Sequence, residues 1–350
     1  MTSYFVLGLM SGTSLDGLDF AYIKIDFAYK QWRYKILHTE TIHYTDEWQT
    51  QLKNSILLEE EALNKLDKKY SVYLAKLTKR FIIENEITTL DIISSHGHTV
   101  KHRPDLGYTI QIGNLPEFGD AFDIPVVCDF RTQDVALGGQ GAPLVPIGDR
   151  LLFSEYNYCL NLGGIANISF EQNGKRIAYD IGAVNMVLNH YANELGHEFD
   201  KGGMLAASGK LNKSLLDKLN SLEFYSKPPP KSLGREWVEE KVFPMLDASK
   251  LCPKDILHTY IIHIANKISA SVKADSRVLV TGGGAYNEFL LQHLNPDIKW
   301  IIPRKEVVEF KEALIFGLLG VLRYRGQVNC LKSYTGAIKN HSSGKSFNCH

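Results

Sequence analysis

Three glycine-rich clusters, each at the end of an apolar run, carry residue types suited to phosphate. The first is Gly12-Thr13-Ser14-Leu15-Asp16-Gly17, continuing into Leu18 and Asp19. A tight turn rich in Gly, Ser and Thr presents several backbone N–H groups in one concavity, which suits phosphate oxygens. Asp16 can orient water on Mg²⁺, because that ion keeps most of its waters and takes few protein ligands. The second cluster is Leu162-Gly163-Gly164-Ile165-Ala166-Asn167, and two such hairpins would grip a triphosphate from both sides. The third, Gly282-Gly283-Gly284-Ala285, follows one apolar run and precedes a helical one. Backbone bare of side chains there lets an adenosine lie flat. Any one cluster is also what an ordinary tight turn requires; three in this order point to a nucleotide. Neither the Walker A pattern nor a Rossmann GxGxxG after a strand occurs.

Acids and bases stand at other run ends. Tyr179-Asp180-Ile181-Gly182 closes an apolar segment with a carboxylate, placed as a sugar kinase places its base. Helix capping is the competing use of an aspartate there. Ser95-His96-Gly97-His98-Thr99, with His102 nearby, lacks a Cys or acidic partner at ligand spacing, so it reads as ligand contacts rather than a metal site. Asp129-Phe130-Arg131 is a second polar end, with Arg131 a candidate fork for a substrate carboxylate or half of a structural ion pair.

The elements that must position these residues repeat. Tyr4–Leu9 and Asp19–Ile25 predict a strand hairpin around the first cluster, with a third strand near Arg33 to Glu40. Tyr70, Tyr73, Leu74, Leu77 and Phe81 form one helical stripe. Short strands follow at Leu90–Ser95 and Pro125–Asp129. The second half restarts with strands at Tyr158–Leu162, Ile165–Phe170 and Arg176–Asp180, then helices through Val184–Leu195 and Leu257–Val272, then a strand at Arg277–Thr281. Such duplication predicts an α/β protein of two lobes, each a meander followed by βα units, facing each other across an active-site cleft. That is the actin-like ATPase architecture, a duplicated ribonuclease H-like fold. The boundary falls in the glycine-rich run Leu137–Pro146, giving lobe I as 1–145 and lobe II as 146–308. The helix 309–325 completes lobe I, and 333–350 reads as an extended polar tail. Pro228-Pro229-Pro230 reads as an exposed rigid linker.

Composition narrows the partners. The chain has 350 residues, with 39 Lys+Arg against 39 Asp+Glu. A formal charge of zero argues against a nucleic-acid or membrane-surface binder. Ala313–Leu322 is too short to span a bilayer. Met1–Leu9 lacks the basic start of a signal peptide. Five scattered cysteines without a CxxC pair argue against a disulfide framework or structural zinc site and for a reducing cytoplasm.

Taken together the segments resemble the anhydro-N-acetylmuramic acid kinase family. The resemblance rests on Gly8–Gly17, Ser95–Thr99, Asp129–Arg131, Gly138–Pro146, Asn161–Ser169 and Asp200–Gly203. It continues through Pro229–Arg235, Gly282–Asn287 and Lys311–Ala313, so it spans nearly the whole chain. It implies a homodimeric enzyme using ATP and water to convert 1,6-anhydro-N-acetylmuramic acid into N-acetylmuramic acid 6-phosphate in cell-wall recycling, with Mg²⁺ expected from the Asp16 reading. It also implies that Gly12 to Asp19 are the ATP-binding loop and that Asp180 is the catalytic aspartate; Gly163, Gly164, Gly282, Gly283 and Gly284 join the ATP site on the motif reading above. Ser95, His96, His98, Thr99, Asp129, Arg131 and Gln140 are then the expected sugar contacts, with Asp16 toward the metal. One departure stands out: many members read Asp-Thr-Gly-Pro-Gly-Asn where this chain reads Asp180-Ile181-Gly182-Ala183-Val184-Asn185. A kinase for another amino sugar or hexose, and a non-catalytic nucleotide-binding protein of the same fold, are the alternatives.

Overall fold

The structure, a computed structural model, describes residues 1–12 and 15–348. Thr13 and Ser14 of the first glycine cluster, and Cys349 and His350, lie outside the described residues. In chain order the strands are β1 Thr2–Ser11, β2 Gly17–Ala28, β3 Gln31–His43, β4 Ile92–Ser95, β5 His98–Arg103, β6 Tyr108–Ile112 and β7 Val126–Cys128. They continue as β8 Tyr158–Leu162, β9 Ile165–Gln172, β10 Lys175–Ala183, β11 Arg277–Thr281, β12 Lys299–Ile301 and β13 Lys345–Phe347. The chain divides into two compact units: Met1–Leu152 with Phe310–His350, and Phe153–Glu309.

The first unit holds a sheet in the order β13-β7-β4-β1-β2-β3. β1, β2 and β3 form an antiparallel meander, with Leu9 opposite Phe20 and Ile25 opposite Tyr34. β4 runs parallel to β1 and β7 parallel to β4. Its core gathers Leu7, Leu9, Phe20, Tyr70, Leu74, Phe81 and Ile93, so the helix Glu60–Glu84 packs the stripe read from the sequence against the sheet. Phe20 and Phe81 stack at 4.7 Å.

The second unit holds a sheet in the order β10-β9-β8-β11-β12. β8 to β10 are again an antiparallel meander, and β11 and β12 continue parallel to β8. Third-second-first-fourth-fifth is the strand order in both units, with β13 added to the first. Each unit is therefore a copy of one ribonuclease H-like α/β plan, the duplicated arrangement of actin-like ATPases. The second core surrounds Leu160, Val187, Tyr191, Leu257, Tyr260, Ile264 and Val280.

Chain continuity differs from the sequence reading in three places. The segment Pro146–Leu152 is a helix inside the first unit, where Gly148 lies against Ile315 and Asp149 pairs with Lys311 at 3.2 Å, both side chains buried. The stretch from 333 is no extended tail. Lys332–Thr335 is a helical turn, Tyr334, Thr335, His341 and Ser343 are buried, and β13 pairs antiparallel with β7. Polar residues there bond inward, as when Ser343 donates to the Phe130 carbonyl at 2.6 Å. Pro228–Pro230 is exposed, but it lies within the second unit and links no domains.

The helix Lys305–Tyr324 breaks at Phe310, where the first unit resumes. Its later turns press onto β1 and β4 through residues without side chains. A Cβ on Gly8 would overlap the Ala313 carbonyl oxygen, and one on Gly317 would meet Ile23. The close approach lets Ser94 Oγ donate to the Phe316 carbonyl at 2.5 Å. A methyl at position 8 has only backbone to displace, so Gly8→Ala should lower stability by about 1–3 kcal/mol or more. Urea unfolding that leaves the midpoint unchanged would contradict this packing account.

Candidate active site

In the first unit the polar residues collect at the carboxyl ends of the parallel strands β1, β4 and β7, where open α/β sheets present ligand contacts. Past β1, Leu15 adopts φ 63°, and its N–H reaches the Gly12 carbonyl at 3.4 Å. Asp16 is exposed at the tip, and its backbone carbonyl accepts the Tyr44 N–H at 3.3 Å. Gly17 approaches β3 so closely that a Cβ would sit 2.5 Å from the Ile42 carbonyl oxygen. Leu18 differs from a ligand contact, because its side chain is buried in the core beside Phe20. Asp19 accepts from Thr41 Oγ1 at 2.5 Å.

Past β4 the histidines turn inward. His98 is 3% exposed, with Nδ1 2.9 Å from Ser11 Oγ. Ser11 in turn accepts from Tyr44, whose hydroxyl lies 2.6 Å from that of Tyr70. Burial lowers His98 to about 4, so the imidazole is neutral and braces the end of β1. Ser95 is also buried, its hydroxyl accepting the Gly97 N–H at 3.1 Å. The sequence predicts Ser95 and His98 as sugar contacts. The structure instead turns their side chains into the interior, a distinction that a polar loop after a strand does not encode.

His96 is 3% exposed and lies 4.6 Å from the Phe316 ring. Its Nδ1 is 2.9 Å from the Gly97 carbonyl, so Nδ1 carries the proton and Nε2 accepts. That Nε2 receives Arg131 through Nη2 at 2.8 Å and Nε at 3.1 Å. Arg131 Nη1 donates to the Gly141 carbonyl at 2.6 Å. Burial, then the Arg131 charge, holds His96 well below the usual histidine range. Burial lowers Arg131 to about 10, opposed chiefly by Glu312. Gln111, absent from the sequence reading, donates to the His96 carbonyl at 3.0 Å and to Thr99 Oγ1 at 3.1 Å. Asp129, at φ 54°, accepts from Thr132 Oγ1. Gln140 is exposed, its N–H bonded to the Thr335 carbonyl at 2.7 Å.

In the second unit the two remaining glycine clusters meet, because β8 and β11 are adjacent and parallel. Gly282 has φ 82°, and a Cβ there would lie 2.7 Å from Asn161 Oδ1. Gly284 rests on Leu162, whose carbonyl accepts Asn185 Nδ2 at 3.0 Å. The Gly164 carbonyl accepts the Val184 N–H at 2.8 Å and the Gly163 carbonyl that of Asn185 at 3.2 Å, which seats the helix Asn185–Glu194. Open space lies where a Cβ on Gly164 would stand, one on Gly283 would make only an ordinary contact, and one on Gly163 would press on Asn161 Nδ2 at 3.3 Å. Bare backbone bordering open space is what a phosphate chain or a purine needs, so these residues fit a nucleotide.

Asp180 stands on β10, parallel to β8, so its end of the strand shares the edge with both glycine clusters. The register shifts between Asp180 and Gly182, a bulge of the kind that re-aims a side chain. The segment Lys231–Leu233 holds it: the Asp180 N–H donates to the Lys231 carbonyl at 3.0 Å, and Leu233 N–H donates to Oδ2 at 2.9 Å. Oδ1 takes no hydrogen bond from any described residue. Burial raises this carboxyl to about 6, with the Leu233 N–H pulling the other way. Beside it a cavity of 410 Å³ is lined by Phe224, Lys227, Pro228, Lys231, Leu233 and Trp237, among others. Sequence reasoning used Pro229–Arg235 only as part of the family resemblance and did not see in it a seat for the carboxylate.

The family model described as anhydro-N-acetylmuramic acid kinase matches residues 4–348. An anhydro-N-acetylmuramic acid kinase of Xylella fastidiosa is 33% identical, covering 95% of this chain and 93% of that protein. One of Shewanella putrefaciens is 34% identical and covers 99% of both chains. A ROK family glucokinase from Streptomyces griseus, solved with glucose and AMPPNP, is 11% identical with a TM-score of 0.40, covering 91% of this chain and 99% of that one.

The lowered His96 and His98 values carry a direct test. Neither ring should take up a second proton between pH 8 and pH 5, so their imidazole ¹⁵N shifts should stay at neutral-tautomer values. A titration of either ring near pH 6.5 would contradict the bonding described for Ser11 and Arg131.

Proposed function

The chain belongs to the anhydro-N-acetylmuramic acid kinase family, and from that premise we propose how its residues carry out the reaction. The enzyme is a phosphotransferase that opens the 1,6-anhydro bridge of anhydro-N-acetylmuramic acid and phosphorylates O6, a step of peptidoglycan recycling. In the anhydro sugar O6 is tied to C1, so the acceptor hydroxyl does not exist until the bridge opens.

Asp180 is the general base. Its carboxyl is raised by burial to about 6, and Oδ1, which takes no hydrogen bond from any described residue, takes a proton from the water that adds to C1. As the C1–O6 bond breaks, O6 takes the γ-phosphoryl group of ATP and ADP departs. The phosphoryl group receives the leaving oxygen that an inverting glycosidase would protonate, so no dedicated general acid is required. The raised Asp180 carboxyl with one oxygen open is the observation that carries this reading.

ATP is assigned to the first glycine turn, Gly12 to Gly17 with Asp19, and to the glycines at 163–164 and 282–284, where backbone N–H groups suit phosphate. Mg²⁺, with Asp16 the nearest carboxylate in the first turn, would neutralise charge on the transferring group. Arg131 is assigned to the sugar's lactyl carboxylate: two of its nitrogens are turned on His96, and the fork keeps further N–H groups for an anion. A homodimer remains the expectation from the family, and a cytoplasmic setting the expectation from the scattered cysteines. Among the described residues no helix is long and apolar enough to cross a membrane.

Asp180→Asn should cut turnover by at least ~10²-fold and leave ATP binding intact; near-normal turnover would end the assignment. In the native enzyme kcat/KM should fall on the acid side with an apparent pKa of about 6, because protonation removes the base. Product formed in ¹⁸O-water and quenched early should carry label at the C1 hydroxyl and none in the phosphate. Label in the phosphate would mean that water attacks phosphorus, which overturns the coupled opening.

A further inference from the structure

Apart from the residues given roles above, one buried cluster brings together three different ligand types. Asp134 follows Arg131 on the short helix Thr132–Ala136, and Cys330 and His341 come from the segment after the last long helix. One ligand atom from each lies within 4.8 Å of the others, and all three residues are buried. Their distance in sequence hides the cluster, which is why scattered cysteines argued against a zinc site.

The geometry is specific. Cys330 and His341 exchange both backbone hydrogen bonds at 3.1 Å, an isolated antiparallel bridge that locks the two residues side by side. Asp134 Oδ2 accepts the Gly141 N–H at 2.7 Å, which turns Oδ1 toward them. Oδ1 lies 3.2 Å from Cys330 Sγ and 3.5 Å from His341 Nε2. With metal–sulfur near 2.3 Å and metal–nitrogen or –oxygen near 2.0–2.1 Å, tetrahedral ligands stand about 3.3–3.6 Å apart. Thr335 Oγ1 donates to the same carboxylate oxygen at 2.9 Å, which fixes its aim.

His341 supplies the second, independent observation. Its Nδ1 is 3.2 Å from the Lys339 carbonyl, which can only accept, so Nδ1 carries the ring proton. Nε2 is then a bare lone pair in a residue 5% exposed; it makes no hydrogen bond and faces a carboxylate oxygen. Two lone pairs opposed in a buried site repel unless a second ring proton or a metal ion lies between them, and the thiol beside them supplies the third donor that a metal ion uses and a proton does not. A histidine held through one nitrogen by a backbone carbonyl, with the other aimed at a thiol and a carboxylate, is the ligand orientation that metal sites use.

We propose that Asp134 Oδ1, Cys330 Sγ and His341 Nε2 bind one zinc-type divalent cation, which pins residues 330–341 to the loop seating Arg131. Nitrogen and sulfur donors select zinc-like ions over Mg²⁺. Binding releases the Cys330 thiol proton to solvent, one per ion. The link to the first unit's polar edge is short, since Gly141 donates to Asp134 and accepts from Arg131.

The test is Co²⁺ titration of the full chain after stripping with a chelator. One equivalent should give an intense thiolate charge-transfer band with the visible bands of a tetrahedral ion, and Zn²⁺ should displace it. Saturating Zn²⁺ should raise Tm by ~3–6 °C, and Mg²⁺ should do neither. Cys330→Ser should abolish the band, His341→Gln should weaken binding at least ~10-fold, and Cys252→Ser, at an exposed cysteine, should change nothing. No stoichiometric binding by the native protein, or a band that survives Cys330→Ser, would overturn the site. Zinc-edge absorption of the native protein decides independently of any variant: one sulfur at about 2.3 Å supports it, and a shell of nitrogen and oxygen alone overturns it.

Discussion

The first unit depends on the contact between a glycine and a helix backbone. Gly8 on β1 lets the turn around Ala313 approach until backbone meets backbone, and Gly317 and Gly320 repeat the device against Ile23 and Ser94. Each later contact rests on the one before it. The approach places Phe316 against His96. His96, held neutral by burial, accepts Arg131, and Arg131 reaches Gly141. Gly141 anchors Asp134, around which Cys330, Thr335 and His341 collect. Interiors this densely packed transmit a displacement of one methyl over several residues.

The second unit solves its own problem with strand order. Three strand ends on one edge of the sheet hold the two glycine clusters and Asp180, and backbone rather than side chains does most of the positioning. Gly163 and Gly164 give their carbonyls to the following helix, and Lys231–Leu233 fixes Asp180 through one carbonyl and one N–H. Backbone positioning means that the seat of Asp180 does not depend on the side chains at which Asp180-Ile181-Gly182-Ala183-Val184-Asn185 departs from the family's usual run. A Cβ on Gly182 would meet Ile264 and Tyr225, and Asn185 bonds the Leu162 carbonyl. Ile181, Ala183 and Val184 are buried in the core, so the three changed residues serve packing.

Much of this was legible in the sequence because it rests on local signals. Glycines after apolar runs marked the turns, a repeated order of elements marked the duplication, and an acid at a strand end marked Asp180. What escaped depends on residues far apart along the chain. Whether His98 faces a ligand or Ser11 is settled by Tyr44 and Tyr70 from other elements. The polar stretch after 333 looked solvent-exposed because its partners, Phe130, Asp134 and β7, lie about 200 residues earlier. Polarity alone does not separate a side chain that bonds water from one that bonds a buried carbonyl.

The first unit is made from both ends of the chain, and this sets an order of events during synthesis. Residues 153–309 contain everything their own core and sheet require, so that unit can close while the ribosome is still adding the rest. The first 152 residues emerge earlier yet must wait. Until 310–348 arrive, β1 lacks the helix that covers it and β7 lacks its edge strand β13. For that interval a flat apolar face and an unpaired edge stand open, the kind of surface that holdase chaperones bind and that aggregates when left alone. The half that is translated first is thus the half that matures last.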